Sequence, residues 1–177
     1  VDWTDTAGFQ TGEEKVIVAF YTSAGSHAPK KVPFTQSIAY SNDRGRTFTD
    51  WEGNPVVTHR GRDPKIFWHD PIKQWVMAVY DEHEDDKCIA FYNSPDLKDW
   101  KFQSRIKGFY ECPEILQMSV DGDQKKQKWV LYGADSHYMI GRFDGKKFTP
   151  ETEKLPGNRG NCFYASQVWN NEPEGRQ

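Results

Sequence analysis

A repeat of roughly 50 residues runs through this chain and restricts its fold more than any other feature. One copy opens Arg62-Asp63-Pro64-Lys65-Ile66-Phe67-Trp68, and the next opens Tyr110-Glu111-Cys112-Pro113-Glu114-Ile115-Leu116. In each copy an acid leads through proline into a short apolar run. A polar turn follows, and a second run returns as Lys73-Gln74-Trp75-Val76-Met77 or Lys128-Trp129-Val130-Leu131. Phe48, Trp100 and Phe148 close similar hairpins at the same interval. Units of this length hold one small antiparallel sheet each, and in propellers such sheets ring a common axis. On that arrangement Asp63 and Glu111 open adjacent inner strands, and their carboxylates face one pocket.

The local pattern is β-rich throughout. Gly and Pro punctuate the chain every few residues, and no segment has the periodicity of a long helix. Strands are expected at 16–21 and 37–41, with a long loop between them. The second unit should have strands at 64–68, 75–80, 88–93 and 100–103, and the third at 114–118, 129–133, 138–143 and 147–149. The charged run 81–87 reads as a solvated hairpin loop and 124–128 as a polar turn. Ser41-Asn42-Asp43-Arg44-Gly45-Arg46-Thr47-Phe48 fits the Asp-box pattern. In such a hairpin tip Asp43 accepts backbone N–H bonds, Gly45 takes positive φ and Phe48 packs beneath. Residues 161–169 resemble the first strand of a fourth unit. Trp3, Trp51, Trp68, Trp75, Trp100 and Trp129 are read as packing residues.

The chain has 177 residues and a net charge of −3. Nucleic-acid and anionic-membrane binding depend on clustered Lys and Arg, so neither partner is expected. No apolar run approaches the length of a membrane-spanning helix. Cys88, Cys112 and Cys162 are widely spaced and odd in number, so free thiols are expected. The five histidines share no metal-ligand spacing, and no metal site is expected. The chain begins at Val1 rather than Met, so the lack of a signal peptide says little about compartment. Only about three and a half units fit, fewer than a closed propeller needs. The expectation is an incomplete propeller whose open sheet edges favour self-association.

Paired carboxyl groups around one pocket suit glycoside hydrolysis, in which one donates a proton and another acts as nucleophile or base. The aromatic content of 15% suits sugar stacking as well as core packing. Glu111 lies between Phe109-Tyr110 and Cys112-Pro113, surroundings that would raise a carboxyl pKa, as would a neighbouring carboxylate. Asp63 follows Arg62, which would keep it ionised if the two pair.

These residues resemble glycoside hydrolase family 32, the group of levanases, inulinases and invertases. The resemblance rests on the Asp-box, Arg62-Asp63-Pro64-Lys65, Lys73-Gln74-Trp75-Val76-Met77, Leu97-Lys98-Asp99-Trp100, Glu111-Cys112-Pro113 and Phe163-Tyr164-Ala165-Ser166-Gln167. It implies an all-β, five-bladed propeller of four-stranded antiparallel sheets, followed by a β-sandwich. It also implies that residues 1–177 are a single incomplete propeller domain, without the first blade, the later blades or the sandwich. The substrate would be a fructan or fructosyl oligosaccharide, and no cofactor or metal would be needed. Asp63 would stabilise the oxocarbenium-like transition state, and Glu111 would be the general acid/base. Arg62 and Cys112 would contact the fructosyl unit, with Tyr164 and Trp169 at the pocket rim. The family's nucleophile is an Asp in an Asn-Asp-Pro-Asn-Gly motif, which Asp2, Asp5 and Asn54-Pro55 do not match, so the 177 residues alone are expected to be inactive. Two rivals share the repeat pattern: a non-catalytic carbohydrate-binding propeller, and another propeller glycosidase of sialidase or arabinanase type.

Overall fold

The computed structural model describes residues 1–24, 32–160 and 163–168. Among them there is no α-helix, and three antiparallel sheets follow one another along the chain. The first contains β1 (Ile17–Ser23), β2 (Thr35–Ser41) and β3 (Thr49–Asp50), with β4 (Val57–Thr58) on the other end of β2. The second contains β5 (Arg62–His69), β6 (Gln74–His83), β7 (Asp86–Ser94) and β8 (Lys101–Lys107), in that order. The third contains β9 (Glu114–Val120), β10 (Asp123–Tyr132), β11 (His137–Phe143) and β12 (Phe148–Pro150), with β13 (Leu155–Pro156) also paired to β11. The all-β reading holds, and the two acid-led segments lie in separate sheets as the repeat requires.

The second sheet is covered on both faces, which explains its unbroken apolar strands. Val76, Ala78 and Tyr80 point one way, with Ile89 and Phe91, into a core shared with Phe109, Ile115, Leu131, Phe143 and Phe148. Met77, Val79 and Ala90 point the other way, towards Val57 and the partly buried Phe20 and Trp100. Residues 76–80 are fully buried. Among the described residues, the third sheet lacks such cover on its second face. There Met118 and Val120 are exposed, and with Val130, Tyr132, Tyr138 and Ile140 they line a concavity of about 480 Å³.

One turn design recurs at the hairpin of each unit. Asp43 Oδ1 accepts the N–H groups of Arg46 (3.0 Å) and Thr47 (2.9 Å), and Gly45 has φ of 79°. Asp96 Oδ1 accepts from Lys98 (3.0 Å) and Asp99 (2.8 Å), with Leu97 in the left-handed region at φ 64°. Asp144 Oδ1 accepts from Lys146 (2.8 Å) and Lys147 (2.7 Å), with Gly145 at φ 90°. Only the first has the full Asp-box spelling, so the other two are visible in the fold rather than in the motif.

Several expectations need correction. Residues 124–128 are not a turn; they belong to β10, where the register shifts between Asp123 and Gln127. The loop expected at 81–87 shrinks to Glu84-Asp85, because His83 pairs with Asp86 across a two-residue connection. Asp81 is buried rather than solvated. Phe48 lies against Gly45 yet is 47% exposed, and Trp3 and Trp68 are also exposed rather than packed. Cys88 and Cys112 are free thiols, while Cys162 and the proposed opening of a fourth unit fall wholly or partly outside the described residues.

Candidate active site

The sequence around Asp63 forces the chain into an unusual path. A Cβ on Gly61 would lie 1.6 Å from the carbonyl oxygen of Tyr80, so only glycine permits this approach to β6. Arg62 pairs with Tyr80 but Lys65 pairs with Ala78, which leaves one extra residue on β5. Such a bulge re-aims side chains. Asp63 sits in it with φ of 64°, a left-handed backbone that Asp tolerates better than most residues. Its Oδ2 accepts a hydrogen bond from the Cys112 main-chain N–H at 3.2 Å and lies 3.5 Å from Cys112 Sγ. Burial and the Asp63 charge push the Cys112 thiol up to about 12, which keeps it protonated at neutral pH.

Glu111 reaches the same place from the next repeat. Glu111 and Cys112 are both left-handed, at φ 46° and 39°, immediately before Pro113. The tight path is held by the Ala134 N–H, which donates to the carbonyls of Tyr110 (2.8 Å) and Glu111 (2.9 Å). Glu111 Oε1 accepts Arg62 Nε at 2.8 Å and also contacts Arg62 Nη2, while the Tyr164 hydroxyl donates to Oε2. The Arg62 guanidinium lies 4.9 Å from the Tyr80 ring centre and 5.7 Å from that of Phe34, an aromatic seat for a delocalised cation.

A left-handed backbone and charge therefore coincide at two repeat-equivalent acids. Left-handed non-glycine residues cost roughly 1–3 kcal/mol each and gather at functional sites. The electrostatics differ from the sequence reading. Arg62 pairs with Glu111, not with Asp63. Burial raises the Glu111 carboxyl, but hydrogen bonds from Tyr164, Arg62 and Tyr110 outweigh it, and the pKa falls below its ordinary value instead of rising. The hydrogen bond to Glu111 in turn pushes the exposed Tyr164 phenol up to about 12.

Arg62, Asp63, Glu111, Cys112 and Tyr164 are thus drawn together, and Trp169 lies outside the described residues. Sequence reasoning missed a second pair directly behind them. Lys65 Nζ donates to Glu114 Oε2 at 2.7 Å, and the Glu114 side chain is fully buried. The Val168 N–H donates to the same oxygen at 3.2 Å, tethering the segment that carries Tyr164. The signal was present: Lys65 and Glu114 each directly follow the repeat's proline, with opposite charges. Two carboxylates, a guanidinium and a phenol brought together supply acceptors and donors suited to a polyhydroxylated ligand. The 480 Å³ concavity on the third sheet is lined by none of these residues.

Comparison with known proteins gives a consistent picture. The model of the glycosyl hydrolases family 32 N-terminal domain matches residues 3–177. The levanase of Bacillus subtilis is 38% identical over 197 residues, covering 98% of this chain and 28% of the levanase. The extracellular exo-inulinase of Meyerozyma guilliermondii is 34% identical, covering 98% of this chain and 37% of the inulinase. Among solved structures, the β-fructofuranosidase from Schwanniomyces occidentalis complexed with fructosyl-erythritol superposes with a TM-score of 0.85 at 33% identity, covering 99% of this chain and 37% of that one. The chain therefore spans roughly a third of the length of these relatives.

Proposed function

The chain belongs to glycosyl hydrolase family 32, and from that premise we propose that it forms part of the catalytic propeller of a retaining β-fructosidase. The observation that carries the proposal is the convergence of Arg62, Glu111 and Tyr164 beside Asp63 and Cys112, from two strained repeat openings. The three described sheets then correspond to three blades of a five-bladed ring. The substrate class is a fructan or fructosyl oligosaccharide, in keeping with the fructosyl-erythritol bound by the structural neighbour.

The residues divide the chemistry as follows. Asp63 accepts hydrogen bonds from fructosyl hydroxyls and stabilises the positive charge that develops on the ring. Glu111 gives its proton to the leaving glycosidic oxygen and afterwards takes one from the water that releases the sugar. Carrying Arg62 and Tyr164, Glu111 is ionised, which suits the second half-reaction. The first half-reaction needs its protonated form, so Arg62 must turn from Glu111 towards sugar hydroxyls, or a further carboxylate must approach. The nucleophile is a carboxylate for which Asp2 and Asp5 are not suitable: each holds its own local turn, Asp2 Oδ2 accepting Ala7 N–H and Asp5 Oδ1 accepting Phe9 N–H, both in the N-terminal segment.

A fructose-release assay on levan, inulin and sucrose tests the proposal, run on the whole protein and on the 177 residues alone. The whole protein should release fructose, and the isolated 177 residues should not, since covalent catalysis has no nucleophile there. Turnover by the isolated chain would overturn this division of roles. An inactive whole protein that binds fructans would favour the carbohydrate-binding alternative.

A further inference from the structure

Resting on that reading of the site, we propose that Thr22 and Gln36 are positioning residues, which set Arg62 and Asp63 by gripping the main chain on either side of Arg62. The Asp63 N–H donates to Thr22 Oγ1 at 3.0 Å. Having accepted there, the hydroxyl directs its single proton to Gln36 Oε1 at 2.9 Å. The Gln36 amide is thereby oriented, and its Nε2 donates to the Gly61 carbonyl at 3.2 Å and meets His59 Nε2 at 2.9 Å. His59 Nε2 must then be the acceptor, so its proton is on Nδ1, which lies 3.4 Å from Asp81 Oδ1, a charge contact outside hydrogen-bond geometry. Arg105 Nε closes the chain on Asp81 Oδ2 at 2.7 Å.

Each donor and acceptor assignment follows from its neighbour, so the network has one self-consistent polarity from Asp63 to His59. Gln36 and Asp81 are buried, and the His59 side chain is 5% exposed, so a lost link leaves a buried polar group unpaired. The chain crosses from the first sheet to the second and ends on the two residues flanking Arg62. One of these, Asp63, is in the left-handed bulge, a conformation that persists only where its surroundings hold it. The side chain of Asp63 is held separately, by the Cys112 N–H. Thr22 and Gln36 touch neither carboxylate, so their effect on the site passes through the backbone.

The test uses the 177-residue chain with Thr22→Val, Thr22→Ser and Gln36→Met. Amide hydrogen exchange is read at Asp63, with Ile89 and Leu131 amides as core controls, and fructose binding is titrated by NMR. Thr22→Val should speed exchange at Asp63 about tenfold while the core amides stay protected, and should weaken fructose binding severalfold. Thr22→Ser, which keeps the hydroxyl, should restore both, and Gln36→Met should give a smaller change in the same direction. An Asp63 amide unaffected by Thr22→Val overturns the proposal, as does faster exchange with fructose affinity unchanged. The exchange measurement needs no sugar, so a wild-type chain that binds no fructose counts against the fructoside reading alone, and the Asp63 amide still decides whether the grip exists.

Discussion

Asp63 and Glu111 occupy the same position in successive repeats, yet the two places are chemically opposed. Both have left-handed backbones next to a proline-led strand. The Asp63 carboxylate is met by a neutral main-chain N–H, whereas Glu111 is met by a guanidinium and a phenol. The repeat fixes where an acid stands; non-repeated neighbours fix what it can do. Arg62 comes from the second unit and Tyr164 from beyond the third, so the difference arises between units rather than within them. The same logic gives Lys65 and Glu114 opposite charges at the next equivalent position, and there the two copies bind each other.

The sharpest way to break the comparison is to remove each acid in the whole protein. Glu111→Ala should lower turnover about 10²–10⁴-fold, the usual contribution of a general acid or base. A substrate with a leaving group that needs no proton should recover much of that loss at the first step, and it should recover little for Asp63→Ala, whose proposed role is charge stabilisation. Equal recovery for both variants would show that the two acids are not differentiated. Stability separates the two ion pairs in the same way. Lys65→Met should destabilise by about 3–5 kcal/mol, because it leaves the buried Glu114 carboxylate without its cation, while the Lys65→Met/Glu114→Met double variant should recover most of it. Arg62→Gln, beside the more open Glu111, should cost less in denaturant unfolding than Lys65→Met. A larger loss at Arg62 would reverse the ranking of the two pairs.

Much of this site was legible before any coordinates. Strand pairing and sheet membership followed from the repeat, because period and turn chemistry are local properties. The pairing of Asp63 with Glu111 was legible from the repeat, whereas Arg62, Cys112, Tyr164 and Trp169 came from the family resemblance, and Trp169 lies outside the described residues. The direction of the Glu111 shift was not legible, since it depends on the bulge at Asp63, which turns Arg62 towards the neighbouring sheet. Gln36, His59, Asp81 and Arg105 gave no signal at all. They are scattered over 70 residues and lack a motif, and Asp81 was hidden in a charged run that looked solvated. A buried polar network is specified by contacts between sheets, which composition and periodicity do not report.

That network also gives the comparison a pH dimension. Burial pushes the Asp81 carboxyl up, but the close contacts with His59 and Arg105 more than compensate, and its pKa falls from 3.8 to about 2. A carboxyl with a lowered folded-state value stabilises the fold fully above its unfolded value and loses that stability as pH falls through the folded one. Asp81 should therefore contribute on the order of 2 kcal/mol at neutral pH, lost between about pH 4 and pH 2. Asp81→Asn should flatten this limb of an acid-unfolding curve measured by near-UV circular dichroism. The same limb in wild type and variant would show that Asp81 does not govern acid stability and would pass that role to other carboxyls with lowered values, Glu111, Asp96 and Asp144 among them.

The smallest expected effect concerns strain without function. Glu84 and Asp85 form the two-residue connection between β6 and β7, with φ of 51° and 66°. Positive φ at both central residues is the requirement of a type I′ turn, which favours Asn-Gly. Both residues are exposed, and the contact of Glu84 with His83, at 3.9 Å, is a surface pair of little energetic weight. Glu84→Asn/Asp85→Gly should therefore stabilise the chain by about 1 kcal/mol, since glycine adopts the left-handed region without the side-chain clash. The same strain at Asp63 and Glu111 is tied to contacts that glycine would delete, so Asp63→Gly and Glu111→Gly should not stabilise. Urea unfolding of the three variants decides the point. A turn variant less stable than wild type would mean that Glu84-Asp85 carries an interaction of its own. A stabilised Glu111→Gly would mean that the Arg62 and Tyr164 contacts contribute less to the fold than the left-handed backbone costs.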